Sequence, residues 1–127
     1  MRELGSVLLV GTGGFIGAAG RFLLSGWIHR LVPMASFPVG TLCVNLSGCF
    51  LIGLLGGLSE SRQVFGPELR IFIFIGILGG FTTFSSFAYE TLALARDAEF
   101  ARALANIGGQ LIGGLAAAWV GFTLVRG

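Results

Sequence analysis

The chain contains no lysine, and only 11% of its 127 residues are charged, against roughly 25% in soluble proteins. It has one histidine, His29, and two cysteines, Cys43 and Cys49. No Asp or Glu occurs between Glu3 and Glu60. These shortages exclude whole classes of chemistry. A single histidine without Cys/His spacing makes no metal site of the zinc type. No Ser–His–acid set and no pair of intramembrane carboxylates is present, so an enzyme is not expected. No nucleotide-binding domain is present to drive a primary pump. The cysteines, six apart on one expected helix, point in different directions and cannot bridge within it. They read as small apolar packing residues.

What is present is apolar and segmented. Hydrophobic residues make up 54% of the chain. No fully charged side chain occurs over 4–20, 31–59, 71–89 or 103–125. A membrane-crossing helix needs about 20 residues. The pattern predicts an all-α membrane protein of one domain (1–127), with four transmembrane helices near 4–28, 38–58, 68–96 and 99–124. The first must include Arg21 to reach full length. Pro33, Met34 and Pro38 mark the first loop, Pro67 a helix start, and Asp97 or Ala98 a turn. Arg2 followed at once by Glu3, with no small-residue cleavage site, argues against a signal peptide.

All eight basic residues are Arg. Arg2, Arg62, Arg70 and Arg126 fall on one side of a four-helix topology. Arg30, Arg96 and Arg102 fall on the other, with Arg21 if it reaches the surface. The positive-inside rule then selects no orientation. A chain that inserts both ways can form an antiparallel, dual-topology homodimer, which is the expected assembly.

The run Gly79-Gly80-Phe81-Thr82-Thr83-Phe84-Ser85-Ser86-Phe87 lies inside the third apolar segment. Six of its nine residues are Gly, Ser or Thr, types that loosen a helix or compete for its backbone bonds. A break near 79–83 is expected. Non-helical backbone is tolerated at membrane depth only where protein buries it or where it lines an aqueous cavity, so the break points to a small solute or ion. Freed carbonyls suit a cation, and freed N–H groups and hydroxyls an anion. A kink closed by Ser and Thr hydroxyls is the plainer reading.

Other polar residues extend this inventory. Thr41 and Asn45 share a face of helix 2. Asn45 suits an interhelical hydrogen bond or a pore-lining donor. Phe84 and Phe87 share a face beyond the break, and aromatic rings have positive edges. Asn106 and Gln110 are four apart on helix 4. Arg21 can snorkel or attract anions to an entrance. Glu90 is expected to face an aqueous vestibule and His29 an interface. Gly13/Gly17, Gly53/Gly57, Gly76/Gly80 and Gly109/Gly113 place one G-x-x-x-G pair on each helix, which permits close approach in lipid. Gly11-Thr12-Gly13-Gly14-Phe15-Ile16-Gly17 mimics a dinucleotide-binding turn. The ribose-binding acid of such folds is missing and no βαβ pattern follows, so packing glycine is the better account.

Three blocks resemble the small bacterial fluoride channels of the CrcB or Fluc family. They are Gly13–Phe22, Gly40–Gly48 (Gly-Thr-Leu-Cys-Val-Asn-Leu-Ser-Gly) and Gly79–Phe87, and the resemblance covers nearly the whole chain. It implies a fluoride-selective channel of the bacterial inner membrane, multi-pass, which exports fluoride passively through two pores of an antiparallel homodimer. It implies that Asn45 lines a pore, that Phe84 and Phe87 turn ring edges to fluoride, and that Thr41, Thr83 and Ser86 add hydroxyls. Arg21 would serve the vestibule. Backbone carbonyls of Gly79 and Thr82 from both subunits would hold one structural Na⁺. Many members carry Ser on helix 4 where this chain has Gln110; by the resemblance Gln110 and, one turn before it, Asn106 take pore positions, and Gly114 lies one turn after. Rival readings are a small multidrug-type transporter, which needs an acid that helix 1 lacks, a structural membrane protein, and a proton-coupled fluoride antiporter with Glu90 as its only nearby acid.

Overall fold

The computed structural model describes residues 2–32 and 37–126. Pro33 and Met34 lie outside them, as does the side chain of Arg126. Helix α1 spans Arg2–Leu31 and α2 spans Val39–Arg62. The third span, Pro67–Arg96, is split in two: α3 covers residues 67–81 and α4 covers Phe84–Arg96. Helix α5 covers residues 100–126. Among the described residues there is no strand, and four spans are long and apolar enough to cross a membrane.

Two helices contain wide, π-type turns, α3 over Ile71–Leu78 and α5 over Gly109–Gly113. Such turns inside α-helices cluster at functional sites. Both adjoin the polar centre described below.

Local chemistry fixes the ends. Gln63, in the left-handed region at φ 50°, closes α2 with its N–H on Ser59 O at 3.0 Å. Gly66 is extended ahead of Pro67, whose fixed φ starts α3 without losing a needed donor. Ala98, at φ 60°, turns the chain between α4 and α5, and Glu99 N–H donates to Leu94 O at 2.8 Å.

The helices run past the charge-free stretches that suggested them. At 1.5 Å per residue α1 is about 45 Å long, more than the hydrocarbon core of about 30 Å. Intrahelical bonds hold the backbone equally well in the headgroup zone, so α1 begins at Arg2 and α2 continues to Arg62. The break is narrower than expected. Gly79–Phe81 stay helical, because Thr82 N–H still donates to Leu78 O at 3.0 Å. Only Thr82 and Thr83 are extended.

Glycine sets the packing. Helices α1 and α3 run parallel in contact. A Cβ on Gly13 would lie 2.6 Å from Phe72 O and 2.9 Å from Gly76 Cα, and one on Gly80 would lie 2.7 Å from Gly14 O. Helices α2 and α5 pair in the same way through Gly53, Gly57 and Gly121. The buried core is small and includes Val44, Leu78, Phe87, Leu94 and Ala103. Phe15, Phe22, Ile112 and Leu115 face outward, as suits a lipid-facing surface.

Gly13→Ala is expected to overpack the α1–α3 contact and cost about 1–3 kcal/mol. Gly11→Ala, on the same helix with nothing within 4 Å of the added carbon, is expected to be neutral or slightly stabilising. Thermal unfolding of the two purified variants in detergent checks both.

Candidate functional site

The break is held from outside the third span. Thr83 N–H donates to Asn45 Oδ1 at 2.9 Å, and Asn45 Nδ2 donates back to Thr83 O at 3.0 Å. One amide side chain therefore satisfies both backbone groups of one residue. A backbone N–H can only donate, so this bracket fixes which end of the Asn45 amide is oxygen. Asn45 Nδ2 also donates to Gln110 Oε1 at 3.0 Å. That bond in turn orients Gln110 and leaves its Nε2 buried and without a partner among the described residues.

Hydroxyls close the other half. Thr83 caps α4, with Ser86 N–H on Thr83 Oγ1 at 3.2 Å. Thr83 Oγ1 also meets Ser86 Oγ at 3.2 Å and Ser85 Oγ at 3.3 Å. Thr82 Oγ1 donates back to Leu78 O at 2.9 Å. Arg21 Nε reaches across from α1 to donate to Gly80 O at 3.2 Å.

Gly79 and Thr82 are among the carbonyls that lose their helical donors. In a continuous helix Thr83 N–H would serve Gly79 O and Ser86 N–H would serve Thr82 O. Both N–H groups are bonded elsewhere. Gly79 and Thr82 also line a common cavity.

That cavity, of about 330 Å³, is lined by Asn45, Thr83, Phe84, Phe87 and Gln110, and by apolar residues including Ile52 and Phe74. A second, of about 310 Å³, holds Arg21, Ser25, His29, Thr41, Ser86 and Glu90. Thr83 lines both. The first extends toward the α2–α3 loop and the second toward the α1–α2 loop. They approach Thr83 from opposite sides of the span. A third, of about 360 Å³, continues outward from His29 and Glu90 to Asp97 and Glu99.

Phe84 and Phe87 meet edge to face, with centroids 5.4 Å apart and planes at 63°. Phe87 is buried, whereas Phe84 is 72% exposed. Thr41, buried in α2, donates to Glu90 Oε2 at 3.0 Å, and Glu90 Oε1 is buried without a partner among the described residues.

The structure thus gathers Asn45, Thr83, Phe84, Phe87, Gln110, Gly79 and Thr82 around one cavity, and Thr41, Ser86 and Arg21 around the next. Asn106 is not brought to these walls. It is 0% exposed, and its Nδ2 donates to Thr91 Oγ1 at 2.9 Å, which ties α5 to α4. Its residue type suits a pore, but its position faces the helix contact. Glu90 matters more than its place at the end of a charge-free run suggested. Its link to Thr41 crosses 49 positions of sequence, and no local pattern encodes it.

Comparison with known proteins gives a consistent result. The family model described as CrcB-like protein, Camphor Resistance (CrcB), matches residues 8–122. A protein of Methylobacillus flagellatus named fluoride-specific ion channel FluC is 44% identical over 120 residues, covering 94% of each chain. One of the same name from Chlorobium phaeobacteroides is 44% identical over 123 residues, covering 95% of this chain and 93% of its own. A protein of Methanosarcina barkeri named fluoride-specific ion channel FluC 3 is 41% identical over 122 residues, covering 96% of this chain and 91% of its own.

Asn45→Ala removes three hydrogen bonds and leaves Thr83 N–H and Gln110 Oε1 without the partners they have here. At about 1–3 kcal/mol for each buried group left unsatisfied, the loss is expected to be about 2–5 kcal/mol. Asn45→Asp keeps the acceptor for Thr83 N–H but not the donors, and is expected to fall between. Melting curves of the three proteins in one detergent measure the order.

Proposed function

The chain belongs to the CrcB family, and from that premise we propose that it is a fluoride-selective channel. It lets fluoride leave the bacterial cytoplasm passively across the inner membrane. The functional unit is an antiparallel homodimer with two pores. This is a family of ion channels, not of enzymes. The observation that carries the reading is the pinned break at Thr83, flanked by two cavities, with an oriented and unpartnered Gln110 N–H group at its side.

Fluoride is small and strongly hydrated. A pore must replace its water with donors that are already in place. Gln110 Nε2 supplies N–H donors in a buried setting, where an unpaired donor is costly and an arriving anion relieves that cost. The Thr83 and Ser86 hydroxyls supply more. Positive ring edges of Phe84 and Phe87 add weaker attraction. Asn45 contributes mainly as the pin, because its oxygen and its amide nitrogen are engaged in the structure. Chloride is larger and fits a narrow set of fixed donors poorly.

A structural Na⁺ fits the residues present. Gly79 and Thr82 carbonyls have lost their helical donors, and hard cations take oxygen ligands of this kind. Two carbonyls from each of two copies would hold the ion between protomers, where it ties the two breaks together and is not transported.

Passive flow suffices for export. Hydrogen fluoride crosses the bilayer uncharged and ionises in the less acidic cytoplasm, and the negative-inside potential drives the anion out.

Liposomes containing the purified protein and loaded with fluoride, with valinomycin to carry K⁺, are expected to release fluoride rapidly and chloride hardly at all. Phe84→Ala and Gln110→Ala are expected to slow release at least 10-fold. With the membrane potential clamped at zero by valinomycin and equal K⁺, and with equal fluoride on both sides, a pH gradient is expected to drive no fluoride movement beyond that of protein-free vesicles; uphill movement under that condition would sink the channel in favour of proton-coupled antiport. Replacing Na⁺ by N-methyl-D-glucamine on both sides is expected to abolish flux and shift the protein toward monomer in size-exclusion chromatography.

A further inference from the structure

The two cavities differ in the charged groups they contain. The one toward the α1–α2 loop contains Arg21 and its opposite in charge, Glu90. The one toward the α2–α3 loop is lined by neutral groups only. A cationic group nonetheless stands beside its wall. Arg70, in the first turn of α3, donates from Nη1 to Ser59 Oγ at 2.7 Å. Its guanidinium carbon lies 5.7 Å from the centre of the Phe74 ring. Phe74 lines the cavity and meets Phe65 edge to face, with centroids 6.0 Å apart and planes at 86°. Ser59, on the last turn of α2, is only 4% exposed. A buried hydroxyl and an aromatic face thus hold the guanidinium one ring away from the cavity.

The choice of partner matters. Ser59 is neutral, so the bond holds the guanidinium in place without cancelling its charge. Glu60 on α2, Glu68 on α3 and Glu3 on α1 share this end of the bundle. Among the described residues no carboxylate lies within 4.0 Å of an Arg70 nitrogen. A guanidinium has five N–H donors and always carries its charge. Beside low-dielectric walls such a charge focuses the field and raises the local concentration of anions.

We infer that Arg70 is the anion-attracting residue of the second mouth, held against the cavity by Ser59 and the Phe65–Phe74 pair. Each end of the pathway then has its own arginine, Arg21 at one and Arg70 at the other. The inference rests on the channel reading, and in an antiparallel dimer it gives each membrane face one of each.

The test measures initial fluoride efflux in the liposome assay at two ionic strengths, set with potassium sulfate. The Debye length is about 30 Å near 0.01 M and about 3 Å near 1 M. Arg70→Gln is expected to be about 3- to 10-fold slower than wild type at the low setting and within about 1.5-fold at the high one. Arg70→Lys is expected to restore the low-salt rate. Ser59→Ala, which frees the guanidinium without removing its charge, is expected to lose less, with the same dependence on salt, and serves if Arg70→Gln does not assemble. Wild-type rates for Arg70→Gln at both settings, or a deficit that salt does not change, would overturn the inference while leaving the channel intact. Wild-type vesicles that release no fluoride would overturn the channel reading and this inference with it.

Discussion

The structure depends on one constraint: a helix broken inside hydrocarbon must have its freed backbone groups met by protein, because no bulk water can meet them. Thr82 and Thr83 are extended, and the break frees N–H and C=O groups on both sides of them. Asn45 takes the N–H and the C=O of Thr83 together. Arg21 takes Gly80 O, and the Thr83 hydroxyl takes Ser86 N–H. The residues that seal the break come from α1, α2 and α4, so the break also locks these helices to one another. Gly79 and Thr82 carbonyls have lost their helical donors and line the cavity, and it is these that the proposal assigns to a cation. The same bonds therefore hold the break and select what it offers.

Such a pin works only if the helices lie close enough for short side chains to reach. Helix association in lipid lacks the hydrophobic drive available in water and relies on close packing. Gly13, Gly76 and Gly80 bring α1 and α3 into backbone contact, which places Arg21 within reach of Gly80 O. A Cβ on Gly48 would run into the Thr82 side chain, so glycine there lets α2 bring Asn45 up to Thr83. The glycine content is thus tied directly to the polar centre and is not general looseness.

Much of this was legible in the sequence because its causes are local. Charge-free stretches mark the spans, since ionised groups are costly in hydrocarbon. Gly79 through Phe87 mark the break, since Gly, Ser and Thr disfavour continuous helix. Pro67 marks the start of the third span. Features set by contacts between distant segments were less legible. Spacing put Asn106 and Gln110 on one face, yet Asn106 faces Thr91 and Gln110 faces the cavity, with wide turns beginning between them at Gly109. The Asn45 amide was open to either role, and only its bracket on Thr83 decides that it holds the backbone. The Thr41–Glu90 and Arg70–Ser59 pairs join positions whose partnership depends on helix packing.

A carboxylate beside an anion path is the arrangement most in need of a physical account. Alone, Glu90 would repel a fluoride in the same cavity, since like charges a few ångströms apart in a partly buried site interact by several kcal/mol. It is not alone. Thr41 donates to one oxygen, and Arg21 and His29 share the cavity. The cavity thus holds one guanidinium and one carboxylate, and is polar without being strongly negative. The paired hydroxyl has a second consequence. With Thr41 donating to Glu90, its proton is directed away from an anion in the cavity, and a fluoride that displaces the carboxylate would inherit a ready donor. Beyond it, Gln110 Nε2 stands unpartnered beside a neutral wall. In the proposed channel the pathway would pass from a cavity with charged groups to neutral, prearranged donors that can replace water, an order suited to a small ion that gives up its hydration with difficulty.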